Sequence, residues 1–389
     1  MATPSLLTTL LILLISLGAT RLLGQKLARW AIPALVIELL IGFGLGNTVL
    51  PFAAIAPLSG ITELGVLTLF FQVGLEVRSD LLSARPWTIT RLVALSFLTP
   101  LLAYWPLVSW FAMTPATALL CLACLSATGT GVTLRLLNQR QALRTPSGRL
   151  LVGVSVLDDL PAITLLALAV AAGGKAISGN GLGMAGLGVG LVFALVSASA
   201  VSLWVRRRGQ HPIGAVGILL LLIGPAWVGE VSGLTSLLGA LWGGVLLGRL
   251  SPPEESLNRV LGVLSEVFLP LYFISVGMRV SAGSLVDGRA WSLAVVLLVA
   301  AMASKLACGL GISARDRRDG VDRALVVFGL IPRGLPGLVF ATTALAAGLI
   351  NQPQFSALVL MVTVTTVAGL LLLGRRLLQL GPDRGRAHD

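Results

Sequence analysis

The sequence predicts an all-α polytopic membrane protein with about thirteen transmembrane helices. Three observations carry that expectation. The 389 residues are 56% hydrophobic and only 11% charged, where soluble proteins carry roughly 25% charged residues, and the mean hydropathy is +0.94. Apolar runs long enough to cross a hydrocarbon core of roughly 30 Å recur from end to end. Basic residues gather in alternate loops between those runs. Together these features exclude a soluble enzyme, a secreted disulfide scaffold and a fibrous protein.

Punctuation by charge, Pro and Gly places the spans at 5–23, 31–50, 60–78, 88–112, 116–137, 147–172, 183–205, 213–229, 234–249, 259–278, 289–312, 321–347 and 354–374. The first run has no basic residue before it and charge after it, the wrong polarity for a cleaved signal peptide, so it reads as the first span. The runs 213–229 and 234–249 are short, and fusing them would give twelve spans and reverse everything that follows. Charge decides the matter. With the N-terminus outside, all but five of the 28 basic residues fall in inside loops and the C-terminal tail. Lys175, Arg279 and Arg289 lie outside, and Lys305 and Arg333 lie within spans. The bias holds on both sides of the short pair, as the positive-inside rule requires. The formal charge of +12 is therefore topology, and no nucleic-acid partner is expected.

Cys121 and Cys124 have CxxC spacing, but with no second pair and no nearby His they read as small packing residues. His211 falls in a loop and His388 in the tail. Neither haem nor zinc chemistry is indicated within the membrane, and no cofactor is expected.

An internal repeat underlies the pattern. Phe70–Val77 (FFQVGLEV) matches Phe273–Val280 (FISVGMRV) at Phe70/Phe273, Val73/Val276, Gly74/Gly277 and Val77/Val280, an offset of 203 residues. The same offset carries Thr128–Arg135 (TGTGVTLR) onto Ile331–Leu338 (IPRGLPGL). Both of the latter are helix-breaking stretches inside long apolar runs. Third span maps to tenth and fifth to twelfth; seven spans is an odd number, so paired elements run in opposite directions. Inverted repeats with interrupted helices in matching positions point to a secondary transporter with a midplane site. Close helix packing through small residues is the plainer reading of these stretches. Against it, several breakers crowd each one: Gly129 and Gly131 among Thr128, Thr130 and Thr133, then Pro332, Gly334, Pro336 and Gly337. Unwound backbone at membrane depth survives only where protein or a water-filled cavity satisfies it.

Ionisable residues inside the membrane are expensive and default to function. Asp158 and Asp159 lie mid-way along the sixth span, VSVLDDLPAITLL. Adjacent helical positions diverge by about 100°, so one carboxylate can face a cavity while the other meets a partner helix. Two neighbouring carboxylates in a low dielectric compete to stay charged, which suits one of them to carrying a proton. Pro161 follows and would loosen the backbone locally. Lys305 is one of three lysines and the only one inside a span. Unlike Arg, a desolvated Lys can release its proton and so change partners; alternatively it forms a permanent Lys–Asp pair that locks two helices, or snorkels toward the loop at Arg315. Arg333 stays charged and is assigned to holding half-helix carbonyls or screening their dipoles. Glu38 and Glu63 either bond a neighbouring helix or line a pathway.

FFQVGLE, SATGTGVT, SVLDDLPAI, the spanning Lys305 and PRGLPGLVFA, in that order over essentially the whole chain, resemble the monovalent cation:proton antiporter-2 family and, within it, bacterial sodium/proton antiporters of the NapA type. The resemblance implies an inverted-repeat sodium/proton antiporter fold with two unwound crossing helices. It implies a dimerisation domain over 1–82 and 211–286, a mobile core over 83–174 and 287–376, a linker helix over 175–210 and a cytoplasmic tail over 377–389. It implies that Asp159 binds sodium or protons, that Asp158 completes the sodium site and pairs alternately with Lys305, and that Thr128–Thr133 and Pro332–Gly334 form the crossing. Sodium (or potassium or lithium), protons, membrane lipid and a second copy of the chain are the implied partners, in a bacterial inner membrane with the C-terminus cytoplasmic. Where the family's twelfth span usually has Glu after Arg-Gly, this chain has Leu335, which removes a buried partner for Arg333 or Lys305; ion preference and pH regulation therefore do not carry over. Potassium-efflux members often carry a cytosolic nucleotide-binding domain, which the roughly fifteen residues after the last span cannot supply.

The nearest rival is potassium/proton exchange or potassium efflux on the same scaffold. A sodium-coupled organic-anion symporter would not need two carboxylates and a lysine. An intramembrane aspartyl protease needs two Asp converging from different helices, whereas Asp158 and Asp159 are consecutive. With no Ser/His pair, P-loop or zinc signature, an enzyme is not expected. A receptor or purely structural role leaves the broken helices and buried charges without a purpose.

Overall fold

The structure, a computed structural model, describes residues 6–27, 34–76, 85–129, 133, 136–137, 140–143, 145–173, 184–232, 236–251, 255–286 and 288–380. Among the described residues the regular structure is entirely helical. The principal helices are α1 (Leu6–Leu27), α2 (Ala34–Thr48), α3 (Ser59–Glu76), α4 (Pro86–Leu101), α5 (Tyr104–Phe111), α6 (Pro115–Ser126) and α7 (Pro146–Gly173). They continue as α8 (Met184–Arg208), α9 (Ala215–Val231), α10 (Ser236–Leu250), α11 (Glu255–Arg279), α12 (Gly288–Cys308), α13 (Arg323–Leu330), α14 (Leu335–Ala346) and α15 (Gln352–Leu380). Six segments among the described residues, with α4 and α5 taken together as one, are long and apolar enough to cross a membrane, and shorter apolar helices lie between them.

Local chemistry sets the boundaries. Pro86, Pro115 and Pro146 each open a helix, where a missing N–H costs nothing. Thr114 caps α6 by accepting from the Thr117 amide at 3.2 Å. The fourth run, expected as one helix over 88–112, is interrupted at Leu102–Ala103, where Pro106, the third residue of α5, has no N–H to give the Leu102 carbonyl. The twelfth run is interrupted as its breakers predict: α13 ends at Leu330, Ile331–Gly334 is non-helical, and α14 resumes at Leu335.

Two helical groups emerge from the packing. In one, α3 lies against α10 and α11, α2 against α11, and α9 against α10, with α1 and α8 at the edges. In the other, α7 packs on α6 and α4, α12 on α15 and α4, and α14 on α6 and α15. Glycines hold the first group together. A Cβ on Gly42 or Gly46 of α2 would meet the backbone oxygens of Ile274 and Met278 at 2.1 and 2.5 Å. A Cβ on Gly244 of α10 would meet the Phe71 oxygen at 2.0 Å, and one on Gly248 the Leu75 oxygen at 3.4 Å. Phe71 and Ile274, like Leu75 and Met278, are 203 residues apart. Two seams, α2 on α11 and α10 on α3, thus use small-xxx-small spacing against equivalent partners, the close approach that membrane helices favour.

Two ionic clusters tie the second group at one end. Asp316 is buried and closes a capping box with Ser313, while accepting from Thr88 at 2.9 Å and Arg85 at 3.1 Å. Burial alone would raise its pKa, but the Ser313, Thr88 and Arg85 hydrogen bonds outweigh that and hold the carboxyl down at about 2. Asp322 caps α13 through the Leu325 amide at 2.7 Å and pairs with Arg376 of α15 at 2.6 Å. These contacts link the start of α4 and the end of α15 to the segment that leads into the twelfth-run break.

The glycine seam gives a matched test. Gly42→Ala should lower the thermal stability of the detergent-solubilised protein by about 1–3 kcal/mol, because Ile274 backbone occupies the site of the new methyl. Gly44→Ala, two residues away with nothing within 4 Å, should be neutral or stabilise by about 0.5–1 kcal/mol through helix propensity. Equal melting shifts for the two would contradict this packing.

Candidate functional site

The site forms where the two interrupted helices meet. Residues after α6 leave the helix at Ala127, and the amide of Gly129 donates to the Pro332 carbonyl at 2.6 Å. A Cβ on Gly334 would sit 2.5 Å from Gly129 Cα, so only glycines let the two unwound segments touch. On the far side, a Cβ on Gly369 of α15 would lie 2.6 Å from Pro332 Cδ. The freed backbone groups find protein partners, as low-dielectric surroundings demand. Thr366 donates to the Arg333 carbonyl, and Thr133 donates to the Gly329 carbonyl at 2.9 Å.

Arg333 is fully buried at this crossing. It donates to the Ala127 carbonyl at 3.3 Å, to the Ala301 carbonyl at 2.9 Å and to Ser304 Oγ at 3.1 Å. A half-helix C-terminus carries partial negative charge, and the guanidinium bonds one of its carbonyls. Its fixed charge also lies beside α12, which carries Lys305.

Lys305 and Asp158 are buried together, 0% and 1% exposed. Lys305 Nζ donates to Asp158 Oδ2 at 2.6 Å, to Ser96 Oγ, and to the Ser126 carbonyl at 3.4 Å. Three acceptors match the three protons of an ammonium. Snorkelling of Lys305 is therefore not what the structure has. Thr128 also donates to Asp158 Oδ2. Asp158 Oδ1 and Ser126 Oγ, both buried, have no hydrogen-bond partner among the described residues. The ion pair is complete on the lysine side and incomplete on the carboxylate side. An oxygen of that kind can take up a cation or a proton.

The structure thus brings together Asp158, Lys305, Thr128, Gly129, Pro332, Arg333 and Gly334, with Thr133 one step away. Thr130, Gly131 and the side chain of Asp159 lie outside the described residues, though Asp159 belongs to α7 beside Asp158. Glu38 is buried in α2 and Glu63 is exposed on α3. Cys121, Cys124 and Cys308 are buried free thiols, and no group of three or more His, Cys, Asp or Glu side chains among the described residues could hold a resident metal. Ser96, Ser304 and Thr366 were not singled out by the sequence, and Ser126 entered only as the first residue of SATGTGVT. A lone hydroxyl in a span is ordinary there, bonding its own helix, and only its position opposite a charge distinguishes it.

Comparison with known proteins agrees with this architecture. The profile of the family described as "Sodium/hydrogen exchanger, transmembrane" matches residues 9–374. The chain is 24% identical over 358 residues to the Na(+)/H(+)-K(+) antiporter GerN of Bacillus cereus, covering 90% of this chain and 91% of that one. It is 27% identical over 373 residues to a Na(+)/H(+) antiporter of Enterococcus hirae, covering 93% and 96%. The solved structure of the sodium proton antiporter MjNhaP1 from Methanocaldococcus jannaschii has a similar fold, with a TM-score of 0.65, 16% identity and 97% of each chain covered.

Buried pairs are costly to break and cheap to delete together. Asp158→Asn or Lys305→Gln alone should each destabilise the protein by about 3–5 kcal/mol, because one buried charge loses its counter-charge. The double variant should recover most of that loss in a detergent melt. Additive losses in the double variant would show that the pair is not the coupled unit described.

Proposed function

The chain belongs to the sodium/hydrogen exchanger family and is a monovalent cation/proton antiporter, not an enzyme; from that premise we propose that sodium is its cation and that the carboxylates of α7 carry it. Asp159 binds the cation or protons, Asp158 completes the site, and Lys305 is the counter-charge that cation binding displaces. The observation that carries this is the fully buried Lys305–Asp158 pair at the crossing of two broken helices, with Asp158 Oδ1 unpartnered among the described residues. Two protons would then move against one sodium, one from Asp159 and one from Lys305, and transport would be electrogenic.

The proposed architecture has thirteen spans in two inverted units. Support comes from the paired glycine seams, whose backbone partners are related by the same 203-residue offset as the sequence match, and from the two interrupted helices. The segments 1–82 and 211–286 form a dimerisation scaffold, 83–174 and 287–376 a mobile core, 175–210 a linker, and 377–389 a cytoplasmic tail. The chain works as a homodimer in a bacterial inner membrane with its N-terminus outside, as the distribution of basic residues supports. Potassium is the second cation to consider, since the Bacillus cereus relative's name includes it.

Alternating access requires the core to move against the scaffold. Contacts between the two groups include Tyr272 with Thr342 at 3.3 Å and Gln352 with the Arg279 carbonyl; beside them the short helix Ala282–Val286, which follows α11, packs on α12 and α15 and brings Ser284 to 2.7 Å from Ser356. In the proposed orientation all three lie in the outer half, so they form a clasp that closes the outward path.

Asp159→Asn should leave the protein folded and abolish sodium-driven proton flux in proteoliposomes, because an amide cannot exchange a proton near neutral pH. Retained flux in the purified variant would remove Asp159 as the carrier. Running the same assay with potassium separates the two cations. For the clasp, a Ser284→Cys/Ser356→Cys variant should lose exchange on oxidation and regain it with reductant. Exchange unaffected by a formed disulfide would show that this contact does not open during transport.

A further inference from the structure

Away from the crossing, at the end of the core where Asp322 pairs with Arg376, lies a cavity of about 560 Å³. Its apolar wall is Leu306, Val327 and Phe328, and its rim carries Arg317, Arg323 and Arg376 with a single carboxylate, Asp322. That carboxylate is already occupied. Asp322 takes two hydrogen bonds from Arg376, at 3.1 and 2.6 Å, and one from the Leu325 amide. Arg317 and Arg323 have no ion pair or hydrogen bond to their side chains among the described residues. Among the described residues the cavity therefore keeps two unpaired guanidinium groups.

Arg323 lies back against the end of α12. A side chain at Gly309 would meet Arg323 Nε at 2.8 Å and Val327 Cγ2 at 2.9 Å, so the absence of a side chain there seats the arginine over the apolar wall. Along the same helix end, Leu306 and Leu310 are 50% and 73% exposed. Polar donors above exposed leucines, at the end of a membrane helix, make the two-part surface that a phospholipid presents in mirror image. Guanidinium forks match phosphate oxygens, and basic pockets beside membrane helices are sites for anionic headgroups.

We propose that this cavity binds the phosphate of an anionic phospholipid, with Arg317 and Arg323 on the phosphate and the acyl chains along Leu306 and Leu310. The bound lipid bridges α12, the start of α13 and the end of α15, next to the segment leading to Arg333. This site is separate from the exchange reaction, and its test does not read transport.

The test is lipid retention by the full-length protein in native mass spectrometry, after equilibration with equal phosphatidylglycerol and phosphatidylcholine. The wild type should retain phosphatidylglycerol about tenfold over phosphatidylcholine, and an Arg317→Gln/Arg323→Gln variant should lose that preference. An Arg207→Gln/Arg208→Gln variant, altered at the exposed basic end of α8, should keep it. Equal retention by the Arg317/Arg323 variant and the wild type would overturn the site. Glycerol phosphate that competes as strongly as the lipid would overturn the lipid as the source of the phosphate.

Discussion

One ion pair in a low dielectric sets the terms for the rest of the molecule. Lys305 and Asp158 have no access to water, so each must be satisfied by protein or it destabilises the fold. Ser96 from α4, the Ser126 carbonyl from the end of α6 and Asp158 from α7 converge on the ammonium. Four helices are thereby fixed relative to one another by a single charge. The carboxylate, by contrast, accepts through one oxygen and leaves the other unpartnered among the described residues. The proposed change of partner rests on that asymmetry.

One of the three acceptors is a carbonyl at the end of α6, where the backbone unwinds, and unwound backbone requires its own partners. Gly129 and Gly334 touch because neither carries a side chain, and the Gly129–Pro332 hydrogen bond joins the two breaks directly. Arg333 and Thr366 bond the carbonyls that the breaks release. Elsewhere the same constraint appears in reverse. The helices of the first group meet instead through glycines, so that backbone packs closely on backbone.

Much of this was legible beforehand. The helices follow the apolar runs because length and hydropathy decide what can cross a membrane, and the break at Ile331–Gly334 was visible as a crowding of Pro and Gly. Asp158 and Lys305 stood out because charges are rare in such runs, and their pairing was expected from family resemblance. What the sequence could not show is which hydroxyls complete the site. Ser96 lies 209 residues from Lys305, in a run whose composition gives no hint of it. The interruption at Leu102–Ala103 was also missed, since one proline following another at Pro100 and Pro106 reads as a tolerated kink as readily as a break. Arg317 and Arg323, unpaired among the described residues, looked like ordinary loop charges, and only the seat over Gly309 sets Arg323 apart.

Electrogenic exchange requires Lys305 to release its proton as Asp158 accepts the cation. The most direct measurement is sodium uptake against proton release in proteoliposomes, with the membrane potential set by a potassium gradient and ionophore. Two protons per sodium make each cycle carry a net charge, worth about 2.3 kcal/mol per 100 mV. The rate and the end-point should therefore both shift with voltage. Lys305→Gln, if it still exchanges, should lose that response. A wild-type end-point indifferent to voltage would mean one-for-one exchange, with Lys305 protonated throughout and the buried pair serving only to hold the helices.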